Sequence, residues 1–272
     1  MFKIGSIINH AFLLLISFIM VFPLLWMVVS SFKPSIEIIN ADFHLLPEKW
    51  TFENYIKIFE ELPIGTAYLN SLIVCTVVTF FVLLTSSLGG YLFSKLEFKG
   101  RDFLFMIVLG SIMVPPQIVI IPLFLLIVGL LGLSDSYIGI VLPFIINAFG
   151  IFLLRQNIKS IPNDYLDAAR IEGASEFQIL FLVVIPFVKY TLAILGVLVY
   201  LWTLDELLWP LLVVNSNEMK TLPLVLSHFT MAEGAFPGES LAASSIIIVP
   251  VIFIYLFCQR YFIKGMTTSG IK

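Results

Sequence analysis

Apolar residues run along this chain in long blocks, without the alternation of a strand or the single stripe of a soluble amphipathic helix. A helix needs about 20 predominantly apolar residues to cross the hydrocarbon layer of a bilayer. Six blocks reach that length, at roughly residues 10–32, 67–93, 103–131, 137–155, 186–212 and 241–263. The pattern predicts an all-α integral membrane protein with six transmembrane helices. Pro115, Pro116 and Pro122 lie in the third block, which is read as kinked or broken. Such breaks are tolerated where neighbouring helices or a water-lined cavity satisfy the freed backbone groups. A helix lining a path and a bent packing helix both fit. No internal repeat or low-complexity tract divides the chain, so residues 1–272 are read as a single transmembrane domain.

Composition agrees with this reading. Of the 272 residues 60% are hydrophobic and 12% charged, against roughly 25% charged in soluble domains. A net charge of −3 offers no basis for nucleic-acid binding. Cys75 and Cys258 lie within apolar blocks and read as small buried hydrophobes. His10, His44 and His228 have no Cys or His at ligand spacing, so no metal site is expected. The block after Lys3 is too long for a signal-peptide core, and SFKPS is not a small-residue cleavage site, so it reads as a retained span.

Lysine and arginine gather on one side of a membrane protein, the cytoplasmic side. With the N-terminus inside, 11 of the 15 basic residues fall inside and 4 (Lys33, Lys49, Lys57 and Lys220) outside. Both termini and the segment at about 156–185 are therefore expected in the cytoplasm. Two outer segments, 33–66 and 213–240, are long, and the first carries an amphipathic stretch from Tyr55 to Leu62. Either contact with an outside partner or simple connection fits them.

The inside segment SIPNDYLDAARIEGASEFQILFLVVIP reads as two short helices with a hinge. Pro162 suits a first-turn position, and Asp164 and Asp167 suit the positive end of the helix dipole. Gly173 stands where a left-handed C-cap is expected, and Ser175 with Gln178 has capping-box spacing. Tyr165, Ala168, Ala169 and Glu172 share one face. Docking of a protein partner and a helix lying on the membrane surface are the two readings; small alanines with acids offer little apolar area and the wrong charge for lipid, which favours docking.

Further along, Trp202, Asp205, Glu206 and Trp209 fall at i, i+3, i+4 and i+7, placing two indoles and two carboxylates on one face of a continuous fifth helix. Indole faces stack on sugar rings and carboxylates accept hydroxyl hydrogen bonds. Counted from Pro186 at about 1.5 Å per residue they lie about 24–35 Å along the helix, near the outer interface where Trp belts are ordinary. Path lining and interface anchoring both remain open. The sequence holds no phosphate cradle, dinucleotide fingerprint or zinc-protease motif, so the chain is not expected to be an enzyme.

Asp167-Ala168-Ala169 followed by Gly173 resembles the EAA loop of binding-protein-dependent ABC importer permeases. Other stretches extend the resemblance over nearly the whole chain: Ser31-Phe32-Lys33-Pro34, Asn70-Ser71-Leu72-Ile73, Asp135-Ser136-Tyr137, Arg155-Gln156, Ile161-Pro162, Pro186, Leu208-Trp209-Pro210 and the ending Gln259-Arg260-Tyr261-Phe262-Ile263-Lys264-Gly265. It is closest to the smaller, six-span permease of maltose-type carbohydrate uptake systems. Asp167 departs from the family's usual Glu, which keeps the charge and shortens the side chain by one methylene.

The resemblance implies a type I ABC importer permease fold with a cytoplasmic coupling helix, in a bacterial or archaeal cell (inner) membrane. It implies a second homologous permease, two cytoplasmic ATPases that use ATP and Mg, and an extracytoplasmic solute-binding protein. The chain itself would bind no cofactor and contact only these proteins and lipid. Asp167, Ala168, Ala169, Glu172 and Gly173 would couple to an ATPase, with Gly173 holding the turn and Asp167 making the polar contact. The 213–240 segment would reach toward the binding protein, and Trp202, Asp205, Glu206 and Trp209 are the solute-path candidates. A permease for glycerol phosphate, an amino acid or a polyamine would share the EAA loop. An ion-coupled transporter is expected to carry inverted repeats and intramembrane ionisable residues, and an intramembrane enzyme a catalytic constellation.

Overall fold

A computed structural model of the chain describes residues 4–39, 44–230 and 236–269. The predicted blocks emerge as helices. In chain order they are α1 (Ile4–Ser30), α2 (Ser35–Ile39), α3 (Glu53–Glu61), α4 (Ile64–Lys95), α5 (Arg101–Ile112), α6 (Pro116–Phe124), α7 (Tyr137–Val141) and α8 (Ala148–Lys159). There follow α9 (Asn163–Ile171), α10 (Glu176–Gln178), α11 (Ile185–Leu204), α12 (Leu208–Val213), α13 (Leu222–Thr230) and α14 (Pro237–Ser269). Four segments are unbroken and apolar enough to span a membrane: Asn9–Ser30, Ile64–Lys95, Glu176–Leu204 and Pro237–Leu256. Two bent pairs, Arg101–Ile112 with Pro116–Leu130 and Tyr137–Phe144 with Ala148–Lys159, bring the count to six where each pair is taken as one span. Lys3, Lys272 and part of each long outer segment (40–43 and 231–235) lie outside the described residues.

The bends have local causes. Pro115 precedes Pro116, which bars it from the helical region; it sits at φ −61°, ψ 130°, and the two halves of the third span meet at 96°. Pro116 then opens α6, where its missing N–H costs nothing. The fourth block, read as one helix, is bent by 45°. Its second half restarts at Asn147, an extended N-cap whose Oδ1 accepts the Gly150 N–H at 2.8 Å.

The fifth span differs most from expectation. The second short helix opened by Ser175 is the first turn of the span, which runs on through a π-helical stretch, Ile179–Val184, into α11. Pro186 explains the widening: it has no N–H to give Leu182 O, and its ring would crowd that carbonyl. Ile185 N–H bonds instead to Leu180 O, five residues back. The span then ends early, at Leu204, and a break at 205–207 separates it from α12. Pro210 cannot donate to Glu206 O, so a continuous helix through this stretch would lose a backbone bond.

The chain gathers into two compact units. One comprises Met1–Ile64 and Leu224–Pro250. In it the Asn54 amide donates to Ser31 O and Lys33 O, both at 2.8 Å, and Lys57 pairs at 2.8 Å with Glu239, whose side chain is 2% exposed. The other comprises Gly65–Pro223 and Val251–Lys272. There α4 and α8 pack backbone to backbone, as small residues allow between apolar helices. A Cβ on Gly90 would lie 2.8 Å from Leu154 Cβ, and one on Gly150 would lie 2.3 Å from Ser86 Oγ. Arg155 donates from Nε to Phe93 O at 3.0 Å while its guanidinium lies 3.8 Å from the centre of the Phe105 ring, binding α8 to α4 and α5.

Candidate functional site: the α9 segment and the fifth-span pocket

The polar segment between the fourth and fifth spans forms a short helix, α9, closed by a well-made hinge. Pro162 sits one residue outside the expected first turn, at the N-cap (φ −58°, ψ 137°). At the other end Gly173 has φ +84°. Gly173 N–H bonds to Arg170 O and Ala174 N–H to Ala169 O, both at 3.0 Å. This pair of bonds is the Schellman closure, which requires the left-handed residue. The capping box is present: Gln178 N–H reaches Ser175 Oγ at 3.4 Å and Ser175 N–H reaches Gln178 Oε1 at 2.8 Å.

Of the five coupling candidates, Asp167, Ala168, Glu172 and Gly173 are exposed and Ala169 is half-buried. Leu166 is buried and anchors the helix inward. Ile171 is 88% exposed and Phe177 is also exposed, so apolar side chains stand outward on both sides of the hinge. Sequence reasoning missed Arg170. Its guanidinium donates to Asp167 Oδ1 and to Glu176 Oε1, both at 2.9 Å, spanning the hinge. The Glu176 hydrogen bond pushes the Arg170 pKa above its ordinary value. Asp167 is therefore not a free acid on the exposed face of α9 but one held by a neighbouring cation. The signal was available: Asp167 and Arg170 are three apart on one helix.

The break at 205–207 splits the four fifth-span candidates. Trp202 and Glu206 line a pocket of about 180 Å³ together with Asn147, Thr203 and Phe144. Trp202 is 51% exposed and its ring meets Phe149 edge-on at 5.8 Å. Glu206 accepts the Trp209 N–H on Oε1 at 3.0 Å, capping α12. Asp205 is exposed at the end of α11. Trp209 is 2% exposed, packed in a cluster with Ile127 and Val213, and donates its indole N–H to Gly139 O at 3.1 Å. The four do not share one face. Asn147 was missed because it reaches this pocket only through the bend in the fourth span, and Thr203 because it is a neutral neighbour of Trp202 off the chosen i, i+3, i+4, i+7 pattern. Among the described residues no group of three or more His, Cys, Asp or Glu could hold a metal ion.

At the end of these spans opposite α9 a polar clasp holds residues 214–222. The Asn70 amide donates to Glu218 O at 2.7 Å and Lys220 O at 2.9 Å, and Ser71 Oγ accepts the Leu222 N–H at 2.8 Å. Asp135 Oδ1 accepts the backbone N–H groups of Asn215 and Ser216 at 2.8 and 2.9 Å. The last two bonds, Ser216 first, hold the Asp135 pKa below its ordinary value. Asn70, Ser71 and Asp135 were noticed in the sequence as motif residues without a physical task; this is the task.

Residues 86–268 match the family described as "Binding-protein-dependent transport system inner membrane component". The arabinooligosaccharides transport system permease protein AraQ of Halalkalibacterium halodurans is 38% identical over 94% of this chain and 93% of its own. The lactose transport system permease protein LacG of Rhizobium radiobacter is 33% identical over 98% and 97%. The sn-glycerol-3-phosphate transport system permease protein UgpE of Brucella abortus is 30% identical over 98% and 97%. Among solved structures, a chain of a bacterial ABC transporter involved in the import of the acidic polysaccharide alginate superposes with a TM-score of 0.81 at 25% identity, covering 96% of this chain and 97% of that one.

Proposed function

The chain belongs to the family of binding-protein-dependent transport system inner membrane components, and we propose that it is one of two permeases forming the path of an ATP-driven carbohydrate importer. The observation that carries this reading is the α9 segment, an exposed polar helix with a fixed left-handed hinge between two spans. Such a helix suits a protein partner better than a lipid surface, because its small and acidic residues bury little apolar area. In this reading both termini and α9 face the cytoplasm. Two ATPases there hydrolyse ATP with Mg, and one receives Asp167, Ala168, Ala169, Glu172 and Gly173, with Ile171 as an apolar anchor. A binding protein delivers solute on the other side, where the clasped 214–222 segment meets it.

Carbohydrate as solute is supported by the arabinooligosaccharide and lactose relatives and by the alginate importer. The pocket agrees, with an indole to stack on a ring and a carboxylate, an amide and a hydroxyl to bond its oxygens. In this reading Trp202 and Glu206 contact the solute, while Asp205 and Trp209 hold the break and α12 in place. A second reading, glycerol phosphate, is favoured by the UgpE relative, although Glu206 would repel a phosphate. The test is co-purification from native membranes in mild detergent. A second permease with two copies of an ATPase is the expected result, and ligand binding by the accompanying binding protein then separates sugar from glycerol phosphate. A chain that purifies without an ATPase even after crosslinking would overturn the proposal.

A further inference from the structure

Tyr91 and Lys95 lie four residues apart on α4 and so share one face at its last turn. They reach opposite ends of the α9 segment. Lys95 Nζ donates to Ile161 O and, at 2.7 Å, to Asn163 Oδ1, just before and at the first residue of α9. Tyr91 donates its phenol hydrogen to Glu176 Oε2, just beyond the hinge. Glu176 is in turn gripped by Arg170, whose Nε and second terminal nitrogen lie 2.9 and 3.3 Å from its two oxygens. The remaining guanidinium nitrogen holds Asp167.

Two mechanical consequences follow. Glycine at a hinge is the residue with most backbone freedom, yet Arg170 and Glu176 flank Gly173 and clamp it with a charge-assisted fork. The angle between α9 and the start of the fifth span is thereby fixed. The tyrosine and lysine then attach this stiffened corner to α4 at two points. Displacement of α9 must carry the end of α4 with it, or break hydrogen bonds to charged groups.

We propose that Tyr91 and Lys95 are positioning residues that make the second span the lever through which the α9 segment moves the membrane domain. The inference rests on the importer reading and adds to it the route by which a push on α9 reaches the path. The second span is suited to this task because it is unbroken over 32 residues and packs directly on α8 through Gly90. The third and fourth spans, each bent midway, would absorb a push rather than transmit it.

The test uses the whole transporter in proteoliposomes and compares Tyr91→Phe, Lys95→Met and their combination with the unaltered complex. Phe keeps the ring and Met the stem, so packing is preserved while the hydrogen bonds are lost. The expected result is an unchanged amount of co-purified ATPase, hydrolysis within about twofold, and solute carried per ATP lowered about tenfold in the double variant, since hydrogen bonds to charged groups are among the stronger ones. Lys95→Arg, which can still donate to both partners, should restore the ratio. Solute per ATP unchanged in the double variant, with the ATPase bound and active, would overturn the lever and leave the importer reading intact. Absence of ATPase from the unaltered complex would instead overturn the importer reading itself. Misfolding would appear as lost yield, and in that case the single variants and the arginine variant decide by their solute-to-ATP ratio.

Discussion

Tyr137 donates its phenol hydrogen to Asn70 Oδ1 at 2.6 Å, orienting the amide so that both of its hydrogens serve the 214–222 segment. Replacing Asn70 by Ala would leave Glu218 O, Lys220 O and the Tyr137 hydroxyl without this partner, at a cost of about 1–3 kcal/mol if they are not resolvated. Amides of residues 214–222 should exchange hydrogen faster while those of α4 hold their protection. Unchanged exchange in the segment would show that the clasp does not hold it.

Asp135 gives the same clasp a pH dependence. Its folded-state pKa is depressed, so its contribution is present above the ordinary carboxylate value of about 3.8 and is lost as pH falls through the depressed one. A spin label placed at Asn217→Cys should stay immobile at neutral pH and become mobile only in acid stronger than the ordinary carboxylate range. With Asp135→Ala, which removes the acceptor oxygens, the label should be more mobile at neutral pH and indifferent to acid. A label that frees itself in acid equally in both forms would exclude Asp135 as the titrating group.

Gly173→Val should leave the chain inserted but abolish ATP-coupled uptake. Nothing lies within 4 Å of a Cβ at this position, so the effect is conformational. A β-branched residue at φ +84° costs about 1–2 kcal/mol or changes the hinge. Asn, which tolerates the left-handed region, should retain more uptake than Val. Membrane abundance with uptake measured alongside separates the two effects, and full uptake by the valine variant would defeat the hinge argument.

Trp209→Ala and Trp202→Ala should behave oppositely. The first empties a buried site and orphans Gly139 O, so thermal stability in detergent should drop by the equivalent of about 3–5 kcal/mol. The second removes a half-exposed ring beside a pocket and should spare stability while altering solute-stimulated ATP hydrolysis. Reversal of this pattern would put Trp209, not Trp202, on the solute path.

What the sequence determined by itself was whatever short-range rules decide. Apolar length marked the candidate spans, four of them unbroken helices and two of them bent pairs, because a bilayer requires such length of any helix that crosses it. Adjacent prolines set the break in the third. Gly173 and the Ser175–Gln178 pair set the hinge, because only glycine accepts its φ readily and the cap spacing is local. What only the tertiary structure decided was where separated segments meet. The fifth-span candidates looked like one helix face because period 3.6 was carried past Leu204; Pro210 was the sign that it should stop. Asn147 joins Trp202 only through a bend in another span, and Tyr91 and Lys95 grip α9 only because α4 passes beside it. Such contacts depend on how helices pack, and an almost uniformly apolar helix such as α4 gives no local pattern to say which face turns where.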